Sequence, residues 1–123
     1  MTTERQVVLV VDDDDLVRKV VRAVLEADDY EVLEAASGVD ALEQVKQHEP
    51  ALVILDVMMP GMNGVTVLEQ LDSSRPRVLM LTARDDIETE DASRTAGADD
   101  FLGKPFSSLE LLDHVRKLVE QAP

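Results

Sequence analysis

The chain has 123 residues, 45% of them hydrophobic, which suffices for a continuous core without a metal or a cross-link. It holds no cysteine, which excludes disulfides, thiolate metal ligands and cysteine nucleophiles, and it has no apolar stretch near the roughly 20 residues of a membrane span. With 26 acidic against 12 basic residues the formal net charge is -14; a field of that sign repels phosphate backbones and, with few aromatics for base stacking, argues against direct nucleic-acid binding.

Strand-like and helix-like patterns alternate along the chain without repeats or low-complexity stretches, as in βα units wound about a parallel sheet. VVLVV from Val7 to Val11 reads as a buried strand. Asp12 to Asp15 follow, and Asp14 and Asp15 are read as a solvated turn capping the next helix. In that helix Leu16, Val17, Val20, Val21, Val24 and Leu25 are spaced to bury one face, with Arg18, Lys19, Arg22 and Glu26 facing water. Tyr30 to Glu34 makes a short second strand, Ser37 a helix cap, and Ala41, Leu42 and Val45 a narrow apolar stripe. Pro50 stops the approach to a third strand, LVIL, which runs into Asp56. Pro60, Gly61, Asn63 and Gly64 mark a turn before a short helix carrying Val65, Val67, Leu68 and Leu71.

Arg77 to Leu81 is expected as the fourth strand, ending at Thr82, and the stretch from about Asp86 to Thr95 as a weakly amphipathic helix that Gly97 closes. Ala98 to Leu102 is expected as the fifth strand, just before Lys104. The last helix starts near Ser107, with Ser108 and Glu110 as capping candidates, and is expected to bury Leu109, Leu112, Val115, Leu118 and Val119. Met58, Met59 and Met62 are read as gap-filling residues, and His48 and His114 as surface residues remote from the strand ends.

An α/β sheet carries its reactive groups where the carboxyl ends of its strands emerge. Asp12 and Asp13, Asp56, Thr82 and Lys104 each follow an apolar run and therefore point at one pocket. Three carboxylates, a hydroxyl and an ammonium meeting there can hold a divalent cation, present an aspartate nucleophile and neutralise a transferred phosphoryl group.

The segments VVDDDDLVR, LVILDVMMPGMNG, VLMLTAR and GADDFLGKPF, in this order and covering essentially the whole chain, resemble the receiver domains of two-component response regulators. These are the phosphoacceptor partners of sensor histidine kinases. The resemblance implies a flavodoxin-like doubly wound (βα)5 sandwich with a parallel sheet in the order 2-1-3-4-5, and a single receiver domain over residues 1–123. Asp56 would take a phosphoryl group from a kinase histidine, a histidine phosphotransfer protein or a small phosphodonor. Asp13 and Asp56 would bind Mg²⁺ directly, the Met58 carbonyl would be a third ligand and Asp12 would act through water; Mn²⁺ is an alternative ion. Lys104 would pair with a phosphate oxygen and Thr82 would donate a hydrogen bond to another. Phe101 would fill the space Thr82 vacates, relaying the change to the fourth helix, fifth strand and fifth helix. The Lys104–Pro105 peptide would be cis. Such a chain catalyses its own phosphorylation and dephosphorylation without turning over an external substrate.

Met58 and Arg84, two residues after Asp56 and Thr82, are expected to shield the acyl phosphate from water and lengthen its life. LTARDD and GADDF most resemble receivers of winged-helix transcription regulators, which dimerise through the fourth helix, fifth strand and fifth helix. Glu90, Ala92 and Arg94 depart from that pattern, leaving acid facing acid near Asp99 and Asp100, so the expectation is a monomer or a weak phosphorylation-dependent dimer. The output would be a downstream effector protein or a fused effector domain absent from this chain, and the location cytoplasmic, with MTTERQ too polar for a signal peptide. Three other readings compete, of which a nucleotide- or flavin-binding doubly wound domain would want a glycine-rich phosphate loop after the first strand, where this chain has four aspartates. A pseudo-receiver would bind partners without phosphorylation, and an aspartate-nucleophile phosphohydrolase would want an acid at the place of Met58.

Overall fold

The computed structural model describes residues 5–59, 61, 63–71, 76–83 and 87–120. Among them five strands, β1 (Val7–Val11), β2 (Glu31–Ala35), β3 (Leu52–Asp56), β4 (Arg77–Ala83) and β5 (Asp100–Lys104), alternate with five helices. These are α1 (Asp15–Ala27), α2 (Gly38–His48), α3 (Gly64–Gln70), α4 (Ile87–Ala96) and α5 (Ser108–Glu120). All strands run parallel in the order β2-β1-β3-β4-β5, the flavodoxin-like arrangement.

The central strands β1 and β3 are apolar on both faces, Asp56 at the end of β3 apart, because both faces are covered. Along β1, Val8 and Val10 point into a core shared with Val21 and Leu25 of α1 and Leu111, Val115 and Leu118 of α5. Leu9 and Val11, one residue out of phase, point into a second core with Ala41 of α2 and Val67 and Leu68 of α3. Strand order reverses between β1 and β3, so the chain leaves these neighbours in opposite directions and opens a crevice above their carboxyl ends.

Several expectations need correction. β2 begins one residue later than read and β4 extends through Ala83, so Thr82 lies within it. β5 begins two residues later and includes Lys104. Ala98 and Asp99 are occupied otherwise: the Ala98 amide closes α4 on the Ser93 carbonyl, and the Asp99 carboxylate accepts from the Val78 amide at 2.8 Å. The apolar face of α5 is also turned. Ser107 Oγ accepts from the Glu110 amide and Glu110 Oε1 from the Ser107 amide, a capping box that fixes the helix start. Leu111 is thereby buried and Leu109, about 200° around the helix from it, is 80% exposed.

On α1, Val21 and Leu25 are buried as expected, but Leu16 and Val20 are 68% and 52% exposed. They line an open cavity of about 470 Å³ with Val17, Lys104, Pro105 and Phe106. Arg18, read as water-facing, is the reverse case, with a side chain only 12% exposed.

Candidate functional site

Asp12 is the first residue beyond β1, and its amide continues the ladder by donating to the Ala35 carbonyl at 3.2 Å. The next turn is shaped by aspartates. Asp14 caps α1, accepting from the amides of Leu16 at 2.9 Å and Val17 at 3.4 Å, while its own amide donates to Asp12 Oδ1 at 2.9 Å. The turn and helix N-terminus thus stabilise negative charge with main-chain donors. Asp56 ends β3, paired in register with Leu81 of β4, and its Oδ1 accepts from the Met58 amide at 3.3 Å.

Lys104 ends β5, and its ammonium lies 3.3 Å from Asp12 Oδ2 and 3.3 Å from Asp56 Oδ1. Asp12 and Asp56 are buried, as is Thr82, the penultimate residue of β4. One carboxylate oxygen from each of Asp12, Asp13 and Asp56 falls within 4.8 Å of the others. Four of the strand-end groups read from the sequence, Asp12, Asp13, Asp56 and Lys104, therefore meet at one end of the sheet. Thr82 occupies the intervening strand, beside Gly103 of β5.

Burial pushes the Asp56 carboxyl up to about 6; Lys104 offsets part of this and Asp12 adds to it. Burial alone would depress Lys104, but Asp56 and Asp12 outweigh it and hold the ammonium above its ordinary value. Among the described residues one ammonium thus bridges two buried carboxylates, with a third at the rim. An all-oxygen donor set with surplus negative charge suits a hard divalent cation such as Mg²⁺, so Asp12, Asp13 and Asp56 could hold a metal ion.

Met58 is 70% exposed at the mouth of the site, whereas Met59 is buried in the core that holds Val57 and Val67. Arg84 and Met62, named from the sequence, lie outside the described residues, as does the side chain of Glu90. The Lys104–Pro105 peptide is cis. Phe101 is half-buried on β5 with the Arg94 guanidinium 4.6 Å above its ring centroid. Asp99 and Asp100 do not simply face outward: Asp99 serves Val78 and Arg77, and Asp100 lies 2.6 Å from His114 Nδ1 and accepts from the Phe101 amide.

Two residues with a bearing on the site escaped the sequence reading. Gly64 was marked only as part of a turn, yet a Cβ there would stand 2.5 Å from the Asp56 carbonyl and 2.9 Å from Val57 Cα. Its amide donates to the Val57 carbonyl at 2.9 Å, so the α3 N-terminus presses on the main chain that carries Asp56. Arg18 was assigned to the solvent face by helical periodicity. Instead Nη1 donates to the Asp12 carbonyl at 2.6 Å, Nε donates to Glu34 at 3.0 Å, and Nη2 pairs with Asp15.

The doubly wound parallel sheet thus converges three carboxylates and a lysine at the carboxyl ends of its strands, an acidic α/β site with oxygen donors for a hard cation. The family model "Response regulator receiver domain" matches residues 8–116, and the chain belongs to that family. It is 44% identical over 116 residues to Response regulator MprA of Mycobacterium sp. (strain KMS), covering 93% of this chain and 50% of the relative. The Mycobacterium leprae (strain TN) MprA is likewise 44% identical, with 93% and 51% covered, so the chain spans about half the length of these relatives. A solved structure described as a response regulator of Chloroflexus aurantiacus superposes with a TM-score of 0.90 at 38% identity, covering 96% of this chain and all of that one. Vibrio cholerae chemotaxis protein CheY4 gives 0.88 at 31% identity, covering 94% and 99%. The chain is thus a response regulator receiver domain of two-component signalling.

Proposed function

We infer that residues 1–123 act as one receiver unit whose Asp56 is phosphorylated by a sensor histidine kinase, a histidine phosphotransfer protein or a small phosphodonor. The observation that carries this reading is the buried Asp56 carboxylate at the end of β3, 3.3 Å from the Lys104 ammonium, with carboxylate oxygens of Asp12 and Asp13 within 4.8 Å. With its pKa pushed to about 6, Asp56 remains ionised at neutral pH and is more basic than an exposed aspartate. An Asp56 oxygen forms a bond to phosphorus as the bond from phosphorus to the donor atom breaks, and that atom, the histidine nitrogen or the acetate oxygen of acetyl phosphate, keeps the electron pair. Lys104, released from bridging Asp12 and Asp56, takes up the charge of the arriving group.

Asp12, Asp13, Asp56 and the Met58 carbonyl would hold Mg²⁺, with Mn²⁺ as the alternative. Bound there, the ion would screen the carboxylates and stabilise charge on the transferred phosphoryl group. Thr82 then donates its hydroxyl to a phosphate oxygen, and Phe101 follows into the space beside it. Phe101 lies on β5 next to α4, so its movement carries the change to the face formed by α4, β5 and α5, where a downstream effector or fused effector domain reads it. Exposed Met58 screens the acyl phosphate from water. The apolar cavity of Leu16, Val17, Val20 and Pro105 opens beside Lys104 and suits a phosphodonor protein resting against the site. The reading carries a cytoplasmic location; among the described residues no helix is long and apolar enough to cross a membrane. It also carries a monomer or a weak phosphorylation-dependent dimer.

Intact mass after incubation with acetyl phosphate tests this reading. The expected result is a Mg²⁺-dependent gain of one phosphoryl group that Asp56→Ala abolishes. A folded wild type that gains nothing would overturn it in favour of a phosphorylation-independent interaction module.

A further inference from the structure

We propose that Arg18 is a positioning residue for the carboxylate end of the site, locking the Asp12–Asp13 peptide so that both carboxylates are aimed before any ion arrives. This rests on the phosphoacceptor reading above. It concerns a residue that touches no carboxylate oxygen of Asp12, Asp13 or Asp56 among the described contacts.

Beyond Val11, β1 leaves the sheet and the Asp12 amide makes the last ladder bond, to Ala35. From there the strand no longer fixes the chain, yet Asp12 and Asp13 must hold their side chains within about 0.5 Å of a productive geometry. The Asp12 carbonyl belongs to the peptide plane that sets the direction of Asp13. Arg18 Nη1 donates to that carbonyl at 2.6 Å from one turn inside α1. The guanidinium is itself held on its other edges, with Nε on Glu34 at 3.0 Å and Nη2 on Asp15. Glu34 is in turn fixed by Arg22 Nη1 at 2.7 Å.

A planar donor group engaged on three sides cannot rotate without breaking a charge-assisted bond, and a lysine could satisfy only part of it. The geometry also spares the ligand oxygens. Arg18 binds the main chain, leaving Asp12 Oδ1 to the Asp14 amide and Oδ2 to Lys104. A cation placed on the carboxylates themselves would compete with the metal. Outer groups that orient metal ligands typically change affinity 10–100-fold when removed.

The competing explanation is that Arg18 only stitches α1 to β2. Arg22 separates the two, because it shares Glu34 but has no bond to Asp12. Arg18→Gln, Arg18→Lys and Arg22→Gln are compared by calorimetric titration with Mg²⁺, by thermal midpoint in EDTA, and by amide exchange of Asp14 in the metal-free protein. The expected result is Mg²⁺ binding roughly tenfold weaker in Arg18→Gln, with weakening in Arg18→Lys and faster exchange at Asp14. Arg22→Gln should stay within about twofold of wild type whatever it loses in midpoint. The Mg²⁺ concentration giving half-maximal phosphorylation should rise in parallel, with the rate at saturating Mg²⁺ largely restored.

Equal Mg²⁺ affinities for wild type and the Arg18 variants would overturn the proposal, leaving Arg18 a stitch. Should Arg18→Gln fail to fold, Arg18→Lys carries the same comparison. A wild type that binds Mg²⁺ without gaining a phosphoryl group defeats the phosphoacceptor reading while the binding constants still judge Arg18. A wild type that binds no Mg²⁺ overturns both.

Discussion

The site is built at the expense of the fold, and Asp56→Asn should reveal by how much. Burial drives the Asp56 carboxyl from 3.8 to about 6 even with the Lys104 ammonium 3.3 Å away. At about 1.4 kcal/mol per pH unit, that displacement amounts to ~3 kcal/mol of destabilisation whenever the group is ionised. The asparagine amide removes the charge at nearly constant volume but gives up part of the bond to Lys104, so a net gain of ~1–2 kcal/mol is expected. For a domain of this size that raises the thermal midpoint by about 3 to 8 °C in EDTA. The sign with pH follows from linkage. A carboxyl whose folded pKa is raised destabilises the fold at pH values above the folded value, so the advantage of Asp56→Asn should be complete above about pH 6 and vanish below 3.8. Mg²⁺ should narrow the gap by stabilising the wild type through binding. Thermal unfolding at pH 7.5 and pH 3.5, each with EDTA and with Mg²⁺, measures all of this. A variant no more stable than wild type in EDTA at pH 7.5 would refute the claim that the ionised site is strained.

Gly64→Ala should destabilise the protein by ~1–3 kcal/mol and slow phosphorylation, because its Cβ meets main chain at 2.5 Å rather than a side chain that can swing away; chemical denaturation and intact mass read the two effects. Leu111→Ala should cost ~3 kcal/mol through the cavity it leaves, while Leu109→Ala changes stability by under ~0.5 kcal/mol. Equal losses in the two variants would refute the phase of α5. Met58→Asn should hasten loss of the phosphoryl group, read by the decay of the phosphorylated mass after phosphodonor removal. An unchanged lifetime there would rule out shielding by Met58.

Much of the architecture was legible because each strand is a short apolar run bounded by polar residues, and parallel strands covered on both faces require such runs. The boundaries were less legible where a polar residue continues a strand. Lys104 pairs with Ala83 in the β4–β5 ladder, and the Gly103–Lys104 step ended the apolar pattern before the strand itself ended. Helix faces failed for a related reason. Periodicity gives the spacing of apolar positions but not which sector touches the sheet, so Leu16, Val20 and Leu109 were counted inward although the cap of α5 and the line of α1 turn them out.

The strand-end carboxylates and the lysine were legible because topology alone brings them together, whatever the details of packing. The residues that aim them were not. Gly64 and Arg18 act through the main chain of Asp56 and Asp12, a relation that leaves no spacing in the sequence. An arginine four residues after Asp14 at the start of a helix has every reason to point at water. Here two acids, Glu34 at the end of β2 and Asp15 in the first turn, hold it against the carbonyl it serves. In a chain with 26 acidic residues, which acid partners a given arginine is decided by the register of β1 against β2. That register places Glu34 beside Val10, two residues before Asp12, and so brings the Arg18 contact into being only once the sheet has formed.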